Sequence, residues 1–305
     1  MSASTRSPRL SRRSGGPPGE PRAIGWAYAA PALLVYGAFL LYPLLRSVQI
    51  SLYDWDGLTV GTWVGLDNYA RVVRDEGLRA AFGHALVLIV FFAVIPLVVG
   101  LLLAAILNRA KVRGLTFFRT VVFLPQVVAM VVVAVAWRRI YAPEGTLNSV
   151  LSAVGLGDLG RAWLGDYALA LPAVGFIGTW FETGLVTVLM LGGMGQIDKA
   201  LYEAARLDGA GPVREFFAIT LPAVRGEISV ALTLTVIAAL KTFDLVYVTT
   251  RGGPGNQTSV PSYEVYHRAF ETGQVGLACA IGVTLTVIVF AISFLITRVV
   301  ERGEP

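Results

Sequence analysis

Few side chains in this chain could make or break a covalent bond. It carries one cysteine (Cys279), two histidines (His84 and His267) and three lysines (Lys111, Lys199 and Lys241). A single cysteine allows neither an internal disulfide nor a cysteine-cluster metal site. The histidines stand far apart near expected helix ends, where they read as interfacial or loop polarity. No lysine sits in a G-x-x-x-x-G-K-[ST] phosphate cradle, so any ATP that drives this protein is expected on a separate subunit. A membrane enzyme would need convergent His, Cys, Ser or carboxylate groups, and the sequence offers no such set. What remains is non-covalent. Glu182 follows Trp180 and Phe181 inside an apolar stretch, and Lys241, Phe243, Asp244 and Tyr247 lie together in another. A carboxylate facing lipid costs several kcal/mol, so Glu182 should face a path or a partner. Lys241 and Asp244, three apart, are expected on one face of one helix, either lining that path or pairing to staple helices together. Gln126, after Pro125, is a weaker lining candidate, and Met190 and Met194 read as packing residues.

The elements around these residues are apolar runs. Of 305 residues, 55% are hydrophobic and 15% charged, against about 25% charged in soluble domains. Six stretches, 25–45, 84–107, 120–140, 167–191, 228–248 and 275–297, are long enough to cross a bilayer, for which about 18 apolar residues suffice. Only helices satisfy their own backbone in lipid, so the expected fold is all-α with six transmembrane helices. Residues 1–24, rich in Ser, Pro, Gly and Arg, are expected to be a disordered tail, 25–299 the membrane domain and 300–305 a second tail. Ala27-Tyr28-Ala29 lies at the very start of the first apolar run, whereas a signal-peptide cleavage site follows it. The run is therefore expected to be retained. Basic blocks in the tail (Arg6, Arg9, Arg12, Arg13, Arg22) and at Arg109, Lys111, Arg113 and Arg119 fall on one side. Positive charge is held in the cytoplasm, so both termini, and residues 194–226 with them, are expected there.

One stretch breaks the apolar pattern. EAARLDGAGPVREFFAITLP, residues 203–222, is charged and carries helix punctuation. Asp198 can cap a helix, with Ile197 and Tyr202 as a hydrophobic staple. Gly209 supplies a left-handed stop, and Gly211-Pro212 restarts a helix that Pro222 is expected to close. Ala204 and Ala205 keep one surface low, flanked by the charges of Glu203 and Asp208. A plain connection would need only about 2–8 residues. Glu203, Ala204, Ala205, Asp208, Gly209, Ala210, Phe216, Ile219, Leu221 and Pro222 reproduce E-A-A-x-x-D-G-A-x-x-x-x-x-F-x-x-I-x-L-P. That pattern resembles the signature loop of permease subunits in ATP-binding-cassette importers. The resemblance implies a coupling helix that docks in a cleft of an ATPase subunit.

VGLDNYARVV (64–73), FLPQVVAMVVVAVAWRRIYAPEGTLN (123–148), FDLVYVTTRGGPGNQTS (243–259) and YEVYHRAF (263–270) are similar to the carbohydrate-uptake branch of these permeases. The loop with Thr250, Gly252, Gly253 and Pro254 resembles that of the maltose and glycerol-3-phosphate type subunit. Gly193-Met194-Gly195 departs from the family's usual approach to the coupling loop and leaves the local helix ending open. The resemblance implies a bacterial inner-membrane permease in a heterodimeric pore. Its partners would be a second homologous permease, two cytoplasmic ATPase subunits holding ATP and Mg, an extracytoplasmic solute-binding protein, and membrane lipid. Nucleic acid is not an expected partner, and the chain itself is not expected to be an enzyme or to bind a cofactor or metal. In that setting Trp180, Glu182, Lys241, Phe243, Asp244 and Tyr247 are the candidate sugar-path residues, since sugars are held by polar groups and stacked aromatic faces. Alternatives are a permease of the same family for another small polar solute, or an ion-coupled secondary transporter. The latter would show inverted repeats and midplane carboxylate clusters, of which only Glu182 is a trace.

Overall fold

A computed structural model describes residues 22–109 and 114–301. The expected disorder of the tail and the basic side chains of Lys111 and Arg113 lie outside the described residues. The chain divides into two compact units, 1–47 and 48–305. The first holds α1 (Arg22–Tyr36), a π turn (Gly37–Leu41) and most of α2 (Tyr42–Ile50).

The second unit opens with a two-stranded hairpin, β1 (Tyr53–Asp54) and β2 (Thr62–Trp63), then α3 (Asp67–Arg74) and α4 (Glu76–Ile89). A π turn (Val90–Val94) joins α4 to α5 (Ile95–Arg109). There follow α6 (Leu115–Val127), α7 (Met130–Ile140), α8 (Thr146–Ala153) and the long α9 (Ala170–Met194). Next come α10 (Lys199–Leu207), α11 (Pro212–Glu215), a π turn (Phe216–Thr220) and α12 (Leu221–Ala223). The chain closes with α13 (Arg225–Leu240), α14 (Asp244–Thr249), α15 (Pro261–Tyr266) and α16 (Val275–Glu301).

Four helical stretches are long and apolar enough to cross a membrane: Tyr28–Ile50, Glu76–Asn108, Ala170–Met194 and Val275–Val299. The number rises to six if each of two bent pairs is one span. The third expected segment is not a straight helix. It breaks at Val128–Ala129, which are extended, and α6 and α7 meet at 97°. Pro125 withdraws one backbone donor from the last turn of α6, and turn bonds from Val128 N to Pro125 O and Val132 N to Ala129 O satisfy the break.

The fifth expected segment is also interrupted. α13 ends at Leu240 and α14 begins at Asp244, so Lys241 and Asp244 do not share a helix face as expected. Each charge instead sits at the helix end whose dipole it complements: the ammonium after the C-terminus of α13, the carboxylate in the first turn of α14. Among the described residues no ion pair joins the two. The base of this segment carries a further bend, 69° between Pro212–Ala223 and α13.

α9 runs through the middle of the unit, packed along α5 and α6. Its glycines explain how closely. The ring of Phe92 lies where a side chain on Gly178 would stand, and the carbonyl of Val122 occupies that position at Gly184. Leu88, Phe92, Val133, Ile177 and Leu245 form one buried cluster, and Val186, Met190, Met194 and Ala231 another. The two methionines are thus packing residues. Outward apolar side chains such as Phe117, Val132, Phe290 and Phe294 remain exposed, as suits a surface whose solvent is lipid.

Candidate functional site

The insert between α9 and α13 is built by local signals. Asp198 Oδ1 accepts from Ala200 N at 2.9 Å and starts α10. Gly209, at φ +77°, reverses the chain, with Ala210 N donating to Ala205 O at 2.9 Å. Only glycine adopts that conformation without strain. Gly211 then precedes Pro212 in the first turn of α11. Pro222 does not close the helix as expected: it sits within α12, which ends one residue later at Ala223 with Val224 as its cap. The wider π turn of residues 216–220 precedes it and accommodates the ring.

Two cross-turn contacts fix the fold-back. Arg206 Nε donates to Glu215 Oε1 at 2.9 Å, and Tyr202 OH meets Thr220 Oγ1 at 2.9 Å. Glu215 is buried, and its hydrogen bond and charge push the Arg206 guanidinium above its ordinary pKa. Phe216 and Ile197 pack on the Met190–Met194 cluster, which anchors the insert to the ends of α9 and α13. The opposite face is open: Leu201, Glu203, Ala204, Leu207 and Asp208 are exposed and Ala205 half-buried. Sequence reasoning missed Arg206 and Glu215, nine residues apart across the turn, because no local pattern announces that pairing. Between this insert and α5 lies a cavity of about 380 Å³ whose lining includes Asn108, Lys199, Tyr202, Glu203 and Arg206.

The second constellation lies at the interruption between α13 and α14. A cavity of about 320 Å³ is lined by Phe92, Met130, Glu182, Lys241, Phe243 and Asp244, among others. Four candidates named from the sequence therefore meet there. Tyr247 joins them indirectly, its ring stacked on Phe243 at 5.2 Å and 21°. Trp180 does not. Two positions along a helix are about 200° apart, and Trp180 turns away from Glu182 to meet Trp137 edge-on at 5.6 Å. Glu182 is 4% exposed. Gln126 donates to it: its Nε2 reaches Glu182 Oε2 at 3.3 Å and Phe181 O at 3.1 Å. Gln126 is thus tied to the cavity's carboxylate from the last turn of α6, beside the 97° break. Lys241 and Asp244 are both exposed. The arrangement offers a carboxylate, an ammonium, a second carboxylate and an aromatic face to a polar solute.

The residues between α14 and α15 and the start of α15 form a compact knot. Thr258 Oγ1 donates to Gly253 O at 2.7 Å and meets Thr250 Oγ1 at 2.7 Å. Ser259 Oγ donates to buried Glu264 at 2.6 Å, and Arg268 contacts both Glu264 and Asp75. The histidines are accounted for without chemistry: His84 Nδ1 meets Ser259 O, and His267 Nδ1 meets Glu271.

Residues 85–304 match the family described as binding-protein-dependent transport system inner membrane component. The chain is 38% identical over 290 residues to the probable ABC transporter permease protein YurN of Bacillus subtilis, covering 93% of this chain and 98% of that one. It is 34% identical to the diacetylchitobiose uptake system permease protein NgcF of Streptomyces coelicolor, over 91% of this chain and 83% of the relative. It is 31% identical to the multiple sugar-binding transport system permease protein MsmF of Streptococcus mutans, over 92% and 96%. The fold matches a chain of a bacterial ABC transporter involved in the import of the acidic polysaccharide alginate, with TM-score 0.80, 23% identity and coverage of 93% and 96%. With its apolar helices, its interrupted insert and these likenesses, the chain belongs to the family of inner membrane components of binding-protein-dependent transport systems, the permeases of ATP-binding-cassette importers.

Proposed function

We propose that this chain forms one half of the transmembrane path of an importer for a sugar or sugar derivative. Each bent pair counts as one span in this reading, giving six, with both termini and residues 194–226 in the cytoplasm. α10 is the coupling helix. Its exposed face of Leu201, Glu203, Ala204, Leu207 and Asp208 supports docking on a cytoplasmic ATPase subunit, which binds and hydrolyses ATP. A second homologous permease completes the path, a second ATPase subunit completes the motor, and an extracytoplasmic binding protein delivers the solute. Closure of the ATPase pair moves α10, and the anchors at Phe216 and Ile197 pass that motion to α9 and α13. A ligand-driven change needs differential contact in the two states, and nucleotide-dependent docking supplies it. This chain does no bond chemistry in the cycle.

The substrate contacts proposed are Glu182, Lys241, Phe243 and Asp244 around their shared cavity, with Tyr247 supporting Phe243. Trp180, which faces elsewhere, is not among them. That a carboxylate on the buried α9 and charges at an interrupted helix meet in one cavity is the observation that carries the reading. The two sugar-named relatives support the substrate class. The test is a complex co-assembled with its partners in proteoliposomes, supplied with binding protein, labelled oligosaccharides and ATP on the cytoplasmic face. Uptake should require this chain, and Glu182→Gln should alter uptake or selectivity with assembly intact. Normal uptake and selectivity in that variant leaves Glu182 a packing residue.

A further inference from the structure

The hairpin that follows α2 exposes several large apolar side chains, of which Trp63 meets Tyr53 edge-on at 5.1 Å. Tyr53 pairs with Trp63 and Asp54 with Thr62, and Val64 N donates to Leu52 O at 3.0 Å. The tip consumes its own polar groups. Asp56 Oδ1 accepts from Leu58 N at 2.9 Å, Thr59 N at 2.8 Å and Thr59 Oγ1 at 2.9 Å. Trp55 Nε1 donates to Thr59 O at 2.7 Å, and its ring covers Gly61. Beside the exposed polar side chains of Asp54, Asp56, Thr59 and Thr62, large apolar side chains also stand out. Leu58 and Val60 are each 93% exposed, with Leu66 at 71% and Trp63 at 62%.

The level of the hairpin is fixed by its base. Asn68 donates to Ser51 O and Tyr53 O, both at 2.9 Å. Gly276 N, in the first turn of α16, donates to Trp55 O at 3.0 Å, and the Tyr53 carbonyl lies where a Gly276 side chain would stand. α16 is one of the apolar spans and begins at Val275. The hairpin is therefore bonded to the first turn of a helix long and apolar enough to cross a membrane, which sets it at the level where that helix begins. Tryptophan favours the boundary of a membrane, where its ring is half in an apolar layer and half in a wet one.

We propose that residues 55–66 form an interfacial anchor, laying Leu58, Val60 and Trp63 against the headgroup–acyl boundary of the bilayer. The acidic groups set the depth. Asp54 and Asp56 are exposed, and the backbone N–H groups of Thr59 and Leu58 hold the Asp56 carboxyl below its usual pKa. A charged tip cannot enter hydrocarbon, so the hairpin rests in the headgroup layer with only its apolar side chains dipping below. The anchor would steady the start of α16 and, through Asn68, of α3. It needs only that α16 spans a bilayer and is independent of the solute carried.

The test places a nitroxide label at Leu58→Cys or Val60→Cys in a Cys279→Ser background, with Glu76→Cys as an exposed reference. The full-length protein in phosphatidylethanolamine–phosphatidylglycerol vesicles is probed by collision with oxygen and with a water-soluble nickel chelate. The anchor predicts an oxygen-to-nickel ratio at 58 and 60 severalfold above that at 76. Equal ratios at all three positions overturn it. Labels at 58 and 60 that are water-accessible, then immobilised on adding the solute-binding protein, overturn it in favour of a protein-docking loop. Fluorescence quenching by lipids brominated near the headgroup, compared between the unmodified chain and Trp63→Phe, reads the same depth without a label. Loss of headgroup-level quenching in Trp63→Phe supports the anchor, and identical quenching opposes it.

Discussion

Replacing Gln126 by leucine removes one amide from the contact between α6 and α9 while nearly conserving volume. The structure sets the size of the effect. The bond to Phe181 O, at 3.1 Å, goes to a carbonyl within α9, so its loss strands nothing and should cost about 0.6 kcal/mol, the mean for interhelical bonds in a membrane protein. The bond to Glu182 is longer, at 3.3 Å, but its acceptor is a buried carboxyl, for which about 1.5–3 kcal/mol is typical of an ionised group. Gln126→Leu should therefore destabilise the chain by about 2–3.6 kcal/mol. On a Glu182→Gln background the same change should cost only about 1 kcal/mol, leaving a coupling of about 1–2.6 kcal/mol. Denaturant titration of the four purified proteins in mixed lipid–detergent micelles, read by tryptophan fluorescence, gives the cycle. Additivity within about 0.3 kcal/mol would refute the view that Gln126 holds Glu182 at the cavity.

Four further outcomes are expected. Gly209→Pro or Glu203→Lys should leave assembly intact but uncouple uptake from ATP hydrolysis, and wild-type uptake in both would remove the coupling role. Lys241→Met and Asp244→Asn should each alter uptake with normal assembly, and exchanging the two residues should not repair it, because no ion pair joins them; rescue of a lost assembly by the exchange would contradict this. Arg206→Ala should loosen the insert by removing its bond to buried Glu215, seen as faster proteolysis between residues 203 and 215, and unchanged cleavage would count against that tie. Single cysteines at Arg214 and Asn256, in a Cys279→Ser background, should react with an impermeant thiol reagent at 256 but not at 214 on cells stripped of any outer barrier. The reverse pattern would invert the proposed orientation.

The start, turn and restart of the insert are readable from sequence because the devices that set them are local. Asp198 caps, Gly209 turns left-handed, and Gly211-Pro212 restarts the helix, each acting within a few residues of its own position. Long apolar runs were readable for the same reason, since hydropathy reports length. It does not report direction, so the breaks at 128–129 and 241–243 were invisible in runs that look continuous. Lys241 and Asp244 carried a signal in hindsight: opposite charges of the sign that a helix end and a helix start each favour. Trp180 stands two positions from Glu182, but such positions point about 200° apart on a helix, so adjacency in sequence does not bring both side chains to one cavity. Gln126–Glu182 and Arg206–Glu215 are tertiary pairings, set by how α6 meets α9 and how the insert folds back, and no single segment encodes them.

The proposed joint between α10 and an ATPase subunit can be tested by contact. With Ala204→Cys in a Cys279→Ser background, the assembled complex would be treated with a short bis-methanethiosulfonate cross-linker, which forms a reducible disulfide at each end with release of methanesulfinate. The ATPase subunit would carry single cysteines scanned along its membrane-facing cleft. The account predicts a cross-linked product that forms with the ATPase subunit at a defined cleft position, changes in yield when ATP is bound, and blocks uptake until the linker is cleaved. Efficient cross-linking of Ala204→Cys to the solute-binding protein, or none to any cleft position in a complex that transports normally, would contradict it.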